Sequence, residues 1–259
     1  MPPPQRRRSA SAEEAVALAR VLGLRGQLRV ADAAALLDPR GHRFQRLEWL
    51  GDSLLDHVTA LHRVLVPGRD CCAGRTHAGL VSDHELAASV AGAGVLDLLD
   101  WRPSEHRQAD LVEACVAAAW LAGGWDAAVS AAATLVHTPF AVDREQLLSG
   151  GARHRVAPPC SSGMFRRAAT LGSYILEAAA SVHLVAVDPG DEGVLSDRRR
   201  PLLAGRRLLR RAGERGSCGT ASAEHRVDHL QAEVGLVQLR DGAVASLAAA
   251  HVLLGLEPA

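Results

Sequence analysis

The chain has 259 residues, 48% of them hydrophobic, and its 29 acidic side chains balance 29 basic ones. That length allows one large domain or two of ordinary size, and a formal charge of zero excludes a global attraction to nucleic acid, leaving any RNA binding to local patches. With aromatics at only 3% the core must be Leu, Val and Ala, which favour helices over strands, so an all-α protein is expected.

Taken in order, residues 1–9 hold three Pro and three consecutive Arg and read as a disordered basic tail. Ser11-Ala-Glu-Glu14 is a capping box that opens a helix through Leu22, stopped by Gly23. A short helix over Ala31–Leu37 follows, ended by Pro39-Arg-Gly41. Apolar residues at helical spacing then run from Phe44 to Val66 and break at Pro67-Gly68. Further helices are expected over Arg75–Ala93, Arg107–Gly123 and Trp125–Val136. Residues 141–163 carry Gly150-Gly151, Pro158-Pro159 and Ser161-Ser-Gly163, the composition of a linker. Helical patterning resumes over Phe165–Leu184, 200–212, Val227–Leu239 and Ala243–Leu254.

The five cysteines (Cys71, Cys72, Cys115, Cys160, Cys218) include no C-x-x-C pair and no Cys/His zinc spacing. An odd count without a secretory signal indicates reduced thiols in an intracellular protein, of the cytoplasm or nucleus, with the mitochondrion left open. No apolar run reaches transmembrane length, so no membrane association is expected. Every basic residue is Arg and Lys and Asn are absent, a bias that a GC-rich coding sequence would produce and that says little about function.

The two halves echo one another. Leu50-Gly51-Asp52 returns as Leu171-Gly172-Ser173 at an offset of 121, Leu80-Val81-Ser82 as Leu202-Leu203-Ala204 at 122, and Asp110-Leu-Val-Glu113 as Asp228-His-Leu-Gln231 at 118. Three echoes in one order at nearly one offset indicate a tandem duplication.

Chemistry concentrates in the first half. Glu48 and Asp52 are four apart and Asp110 and Glu113 three apart, so each pair leaves one face of its helix. Both pairs interrupt apolar helices, where carboxylates are costly unless paired or bound to a cation. If the helices face each other, the four acids make an oxygen site for Mg²⁺. Spacing alone does not separate that site from a solvated helix face.

The local sequence does more. Gln45-Arg-Leu-Glu-Trp-Leu-Gly-Asp-Ser53 resembles the nine-residue signature of the ribonuclease III family, and Gln45 with Leu54-Leu-Asp-His-Val-Thr59 is most similar to Dicer-like domains. The resemblance continues through Leu80-Val-Ser-Asp-His-Glu-Leu86, Ala109-Asp-Leu-Val-Glu-Ala114 and Gly123-Gly124, covering most of residues 10–140. It implies a catalytic ribonuclease III domain over 10–140 whose Glu48, Asp52, Asp110 and Glu113 bind Mg²⁺, or Mn²⁺, and cleave double-stranded RNA in RNA processing or RNA interference. One departure is His77, where the family often has Arg.

Residues 164–259 look like a second, degenerate ribonuclease III domain, with Glu192-Gly-Val-Leu-Ser196 similar to the family's central loop. The four acid positions here read Ala169, Ser173, Asp228 and Gln231, which implies that this half does not cut. By resemblance the two domains form an intramolecular pseudo-dimer, with one intact site cutting one strand per binding event. Arg206, Arg207, Arg210 and Arg211, at helical spacing near Arg198–Arg200 and Arg215, are candidate phosphate contacts; a solvated face fits them equally. A homodimer or an accessory RNA-binding protein would complete a double-strand cut. The competing reading is a non-catalytic ribonuclease III-fold scaffold of an RNA-processing or ribosomal complex. The retention of four acids in one half alone argues against it.

Overall fold

Ser11 Oγ accepts from the Glu14 N–H at 3.1 Å while the Glu14 carboxylate accepts from the Ser11 N–H at 2.8 Å, the reciprocal pair that starts α1 (Ala12–Val21). This computed structural model describes residues 10–39, 41–65, 80–100, 102–137, 162–214 and 222–256, with the side chains of 212–214 left aside. The elements that follow are α2 (Val30–Leu37), α3 (His42–Leu65), α4 (Asp83–Val90), a 3₁₀ turn at Leu96–Leu98, α5 (Glu105–Leu135), α6 (Gly163–Val187), α7 (Glu192–Leu203), α8 (Gly205–Glu214), α9 (Ala223–Asp241) and α10 (Ala243–Leu254). The described residues contain no strand, so the protein is all-α.

Local chemistry explains most of the boundaries. Ser162 and Ser222 accept first-turn N–H groups at the starts of α6 and α9. α5 bends at Gly123 and Gly124, and Gly124 takes a φ of +69°, which divides it where the sequence divides it. Several expectations fail. The helix expected over Arg75–Ala93 is broken at Val81-Ser82, where Ser82 caps α4 and starts it at Asp83. Glu192–Ser196 is not a loop but the start of α7, because Asp191 Oδ1 accepts the Val194 N–H at 3.0 Å and caps it. The single helix expected over 200–212 is two, separated at Ala204 just after Pro201, whose missing N–H weakens the end of α7. The basic tail, His77, Arg215, four of the five cysteines and almost all of the 141–163 linker lie outside the described residues. Cys115 is free and buried.

The chain forms two compact units, and the division falls inside α3. In the first unit α4 and α2 pack on α5, and α2 also meets α1. Its core gathers Leu18, Leu36, Phe44, Leu50, Leu54, Leu86, Leu111 and the Ala117–Ala119 run. In the second, α9 lies along α6 and α10 packs on both, with α7 against α6 and α8 against α9. α5 and α6 are each long and apolar enough to cross a membrane, against the expectation from sequence, yet half of the most apolar stretch of each is buried in the protein. Ala-rich helices at the centre of a core meet that criterion too.

From Asp56 onward α3 belongs to the second unit, and it buries His57, Thr59 and His62 there. The His57 ring is wholly enclosed in the second unit, which also buries Gln238 and Ser246, whose Oγ donates to the Gln238 amide oxygen. Burial pushes the His57 ring down from 6.5 to about 3. Between those values the unfolded chain takes up a proton that the folded chain refuses, so stability is full above pH 6.5 and falls as pH falls toward 3. His57→Gln should therefore cost about 2 kcal/mol less at pH 5 than at pH 7 in urea melts of the full chain, from 1.36 kcal/mol per pH unit. An equal cost at both pH values would show that the ring is not held neutral.

Candidate metal centre

Gly51 decides how closely α3 and α5 approach. A Cβ built there would overlap the Glu113 carbonyl oxygen, so only glycine lets the α3 backbone lie on that of α5. One turn before the crossing α3 carries Glu48, and α5 carries Asp110 one turn before Glu113. Carboxylate oxygens of Glu48, Asp110 and Glu113 all lie within 4.8 Å of one another. Asp110 is buried, Glu48 and Glu113 are half-buried, and Asp52 is exposed at the edge. Three of the four predicted acids thus converge, while Asp52 stands outside the triplet and acts on Glu113 through its charge.

The electrostatics reflect that crowding. Glu113 is pushed from 4.5 up to about 9, first by burial and then by Asp52, Glu48, Asp110 and Asp83. Asp110 is also raised by burial, with His106 and Arg107 pulling the other way. Like charges this close do not all ionise without a proton or a cation among them. Hard oxygen donors with no nitrogen or sulfur in the group suit Mg²⁺ or Mn²⁺, so the residues present fit the ion that the resemblance implies.

No known protein family and no curated protein matches the chain in sequence.

Three neighbours of the triplet were not singled out from sequence. His106 Nδ1 is 2.8 Å from Asp83 and 3.7 Å from Asp110, and the Asp83 bond, then the Asp110 charge, raise the ring's pKa. Arg107 Nη1 lies 3.2 Å from Asp110 Oδ2. His84 meets Glu105 at 3.0 Å, so the first turns of α4 and α5 are tied twice. The available signal was Ser82 followed by Asp83: Ser82 caps α4 and fixes where Asp83 begins.

The second unit repeats the crossing without the acids. A Cβ on Gly172 would overlap the Gln231 carbonyl oxygen, the counterpart of Gly51 on Glu113, and one on Gly235 would overlap that of Ala168. At the four matching positions Ala169 is buried, Ser173 Oγ donates to the Thr170 carbonyl at 2.7 Å, Asp228 is exposed and Gln231 is uncharged. Among the described residues, the grouping of three possible metal ligands is the one at Glu48, Asp110 and Glu113.

The Arg strip on α8 is split. Arg207 donates to the Leu254 carbonyl, and Arg211 lies against Gly255, the left-handed residue that ends α10. Both serve the C-terminus of α10, where free carbonyls favour a cation. Arg206 and Arg210 face solvent.

Proposed function

We propose that the chain is a metal-dependent endoribonuclease acting on double-stranded RNA, with a single complete site in its first unit. The observation that carries this reading is the convergence of Glu48, Asp110 and Glu113 at a glycine-enabled helix crossing, within 4.8 Å of one another. Asp110 is buried and Glu48 and Glu113 are half-buried, and carboxylates this close and this far from water are costly without a compensating charge. Glu48, Asp110 and Glu113 would hold Mg²⁺, with Asp52 at the solvent edge. The bound ion supplies an acidified water and compensates charge on the departing oxygen. The protein's share is to keep three carboxylates together in a partly dehydrated place, where Glu113 would lose its proton to solvent in exchange for the cation.

In this proposal the second unit is a partner in cis. It repeats the Gly51 crossing at Gly172 but lacks the acids, so it would contribute a dimer-like surface and the exposed Arg206 and Arg210 to an RNA groove. The purified full chain should cleave duplex RNA in Mg²⁺ and leave it intact in EDTA, and cut duplex DNA far more slowly. RNA that is bound but stays whole across a range of Mg²⁺ and Mn²⁺ concentrations would favour the scaffold reading instead.

A further inference from the structure

The acid triplet is poorly suited to receive RNA unaided. Glu48, Asp52, Asp83 and Asp110 all add negative potential at Glu113, and a phosphodiester approaching them is repelled. Two basic side chains on α5 reach this cluster. His106 is held by Asp83 at 2.8 Å and touches Asp110 only at 3.7 Å. Arg107 is different: among the described residues its close partner is Asp110 Oδ2, at 3.2 Å. Its side chain is 45% exposed, while the carboxylate it holds is 5% exposed. The guanidinium therefore sits at the rim, between a buried acid and the solvent from which a substrate arrives.

We propose that Arg107 is a substrate-positioning residue, which neutralises Asp110 in the metal-free protein and turns to a phosphate oxygen of the RNA backbone once a cation occupies the acids. The inference rests on the nuclease reading and adds a residue to it. A divalent ion held by Asp110 would take over the charge compensation and repel the guanidinium, so that completing the metal site would free the arginine. The planar fork of Arg matches two phosphate oxygens as it matches a carboxylate, so the change of partner loses little. A helix pair three residues apart on an exposed turn is weak enough to exchange in this way.

Two measurements on the full chain separate this role from a structural one. Mn²⁺ binding, followed by the electron paramagnetic resonance of the free ion, should be about threefold tighter or more in Arg107→Gln, because a competing cation is gone. Cleavage of duplex RNA in Mg²⁺ should show KM raised about fivefold or more, with kcat changed much less. Arg107→Lys should keep Mn²⁺ affinity near that of the wild type and still raise KM. Should Arg107→Gln not fold, as judged by its melting curve, the lysine variant decides alone: a KM equal to the wild type's overturns the inference. Unchanged Mn²⁺ affinity and KM in a folded Arg107→Gln, with active wild type, overturn the inference and leave the nuclease reading standing. A wild-type chain that binds Mn²⁺ but cuts no duplex RNA overturns both.

Discussion

Glu113→Gln is expected to abolish Mg²⁺-dependent cleavage of duplex RNA while leaving the protein folded. The substitution keeps the shape of a half-buried side chain and removes the charge on which the cation depends. Metal-assisted hydrolysis draws several kcal/mol from the ion, so the rate should fall about 1,000-fold or more, at 1.36 kcal/mol per decade. Stability should move the opposite way. In the metal-free protein Glu113 titrates at about 9, so at pH 7.5 the folded chain holds a proton that the unfolded chain has released. Gln carries no such cost, and thermal melts in EDTA at pH 7.5 should place the variant at or above the wild type. Added Mg²⁺ should stabilise the wild type alone. A variant that cleaves at wild-type rate would remove Glu113 from the site, and one that melts far below wild type would make it a structural residue.

Gly51→Ala carries the largest expected structural effect. The new methyl group would overlap the Glu113 carbonyl, which is helix backbone and does not rotate away as a side chain tip does. The helices must separate or α3 must shift, at a cost of about 3 kcal/mol or more, the upper part of what overpacked cores show. Separation also pulls Glu48 away from Asp110 and Glu113, so Mn²⁺ binding should weaken together with stability. Gly172→Ala offers the matched control. It should destabilise by a similar amount, because the Gln231 carbonyl stands in the same place, but no acid triplet lies at that crossing. Urea melts with Mn²⁺ titrations on both variants check this; a harmless Gly51→Ala would refute the close crossing.

Much of this was legible in the sequence, for identifiable reasons. Ser11 announces a helix start because capping is a short-range bond between a side chain and a backbone three residues on, while the equivalent caps at Ser162, read as linker, and Ser222, four residues before the expected start at Val227, escaped. The spacings 48/52 and 110/113 place each pair on one helix face, and the echo of Gly51 in Gly172 marks two crossings of one kind. What escaped depends on which surfaces meet. The pattern from Phe44 to Val66 shows one continuous helix, and no periodicity reveals that its end from Asp56 packs in the second unit. Arg206, Arg207, Arg210 and Arg211 look equivalent in sequence, yet two of them serve the end of α10, about 45 residues away in the chain. Asp83, His106 and Arg107 read as ordinary polar residues of helix first turns, and only the packing of α4 on α5 brings them beside Asp110.

The central claim is one complete cutting site in a chain with two similar halves, and strand-resolved cleavage tests it most directly. A duplex RNA with a different label on each strand, incubated with monomeric full-length protein and Mg²⁺, is run on native and denaturing gels. With Glu48, Asp110 and Glu113 as the complete site, each encounter should leave one strand cut and the duplex otherwise whole, and Glu113→Gln should leave both strands intact. Simultaneous cleavage of both strands by a proven monomer, or no cleavage at all, would contradict the account.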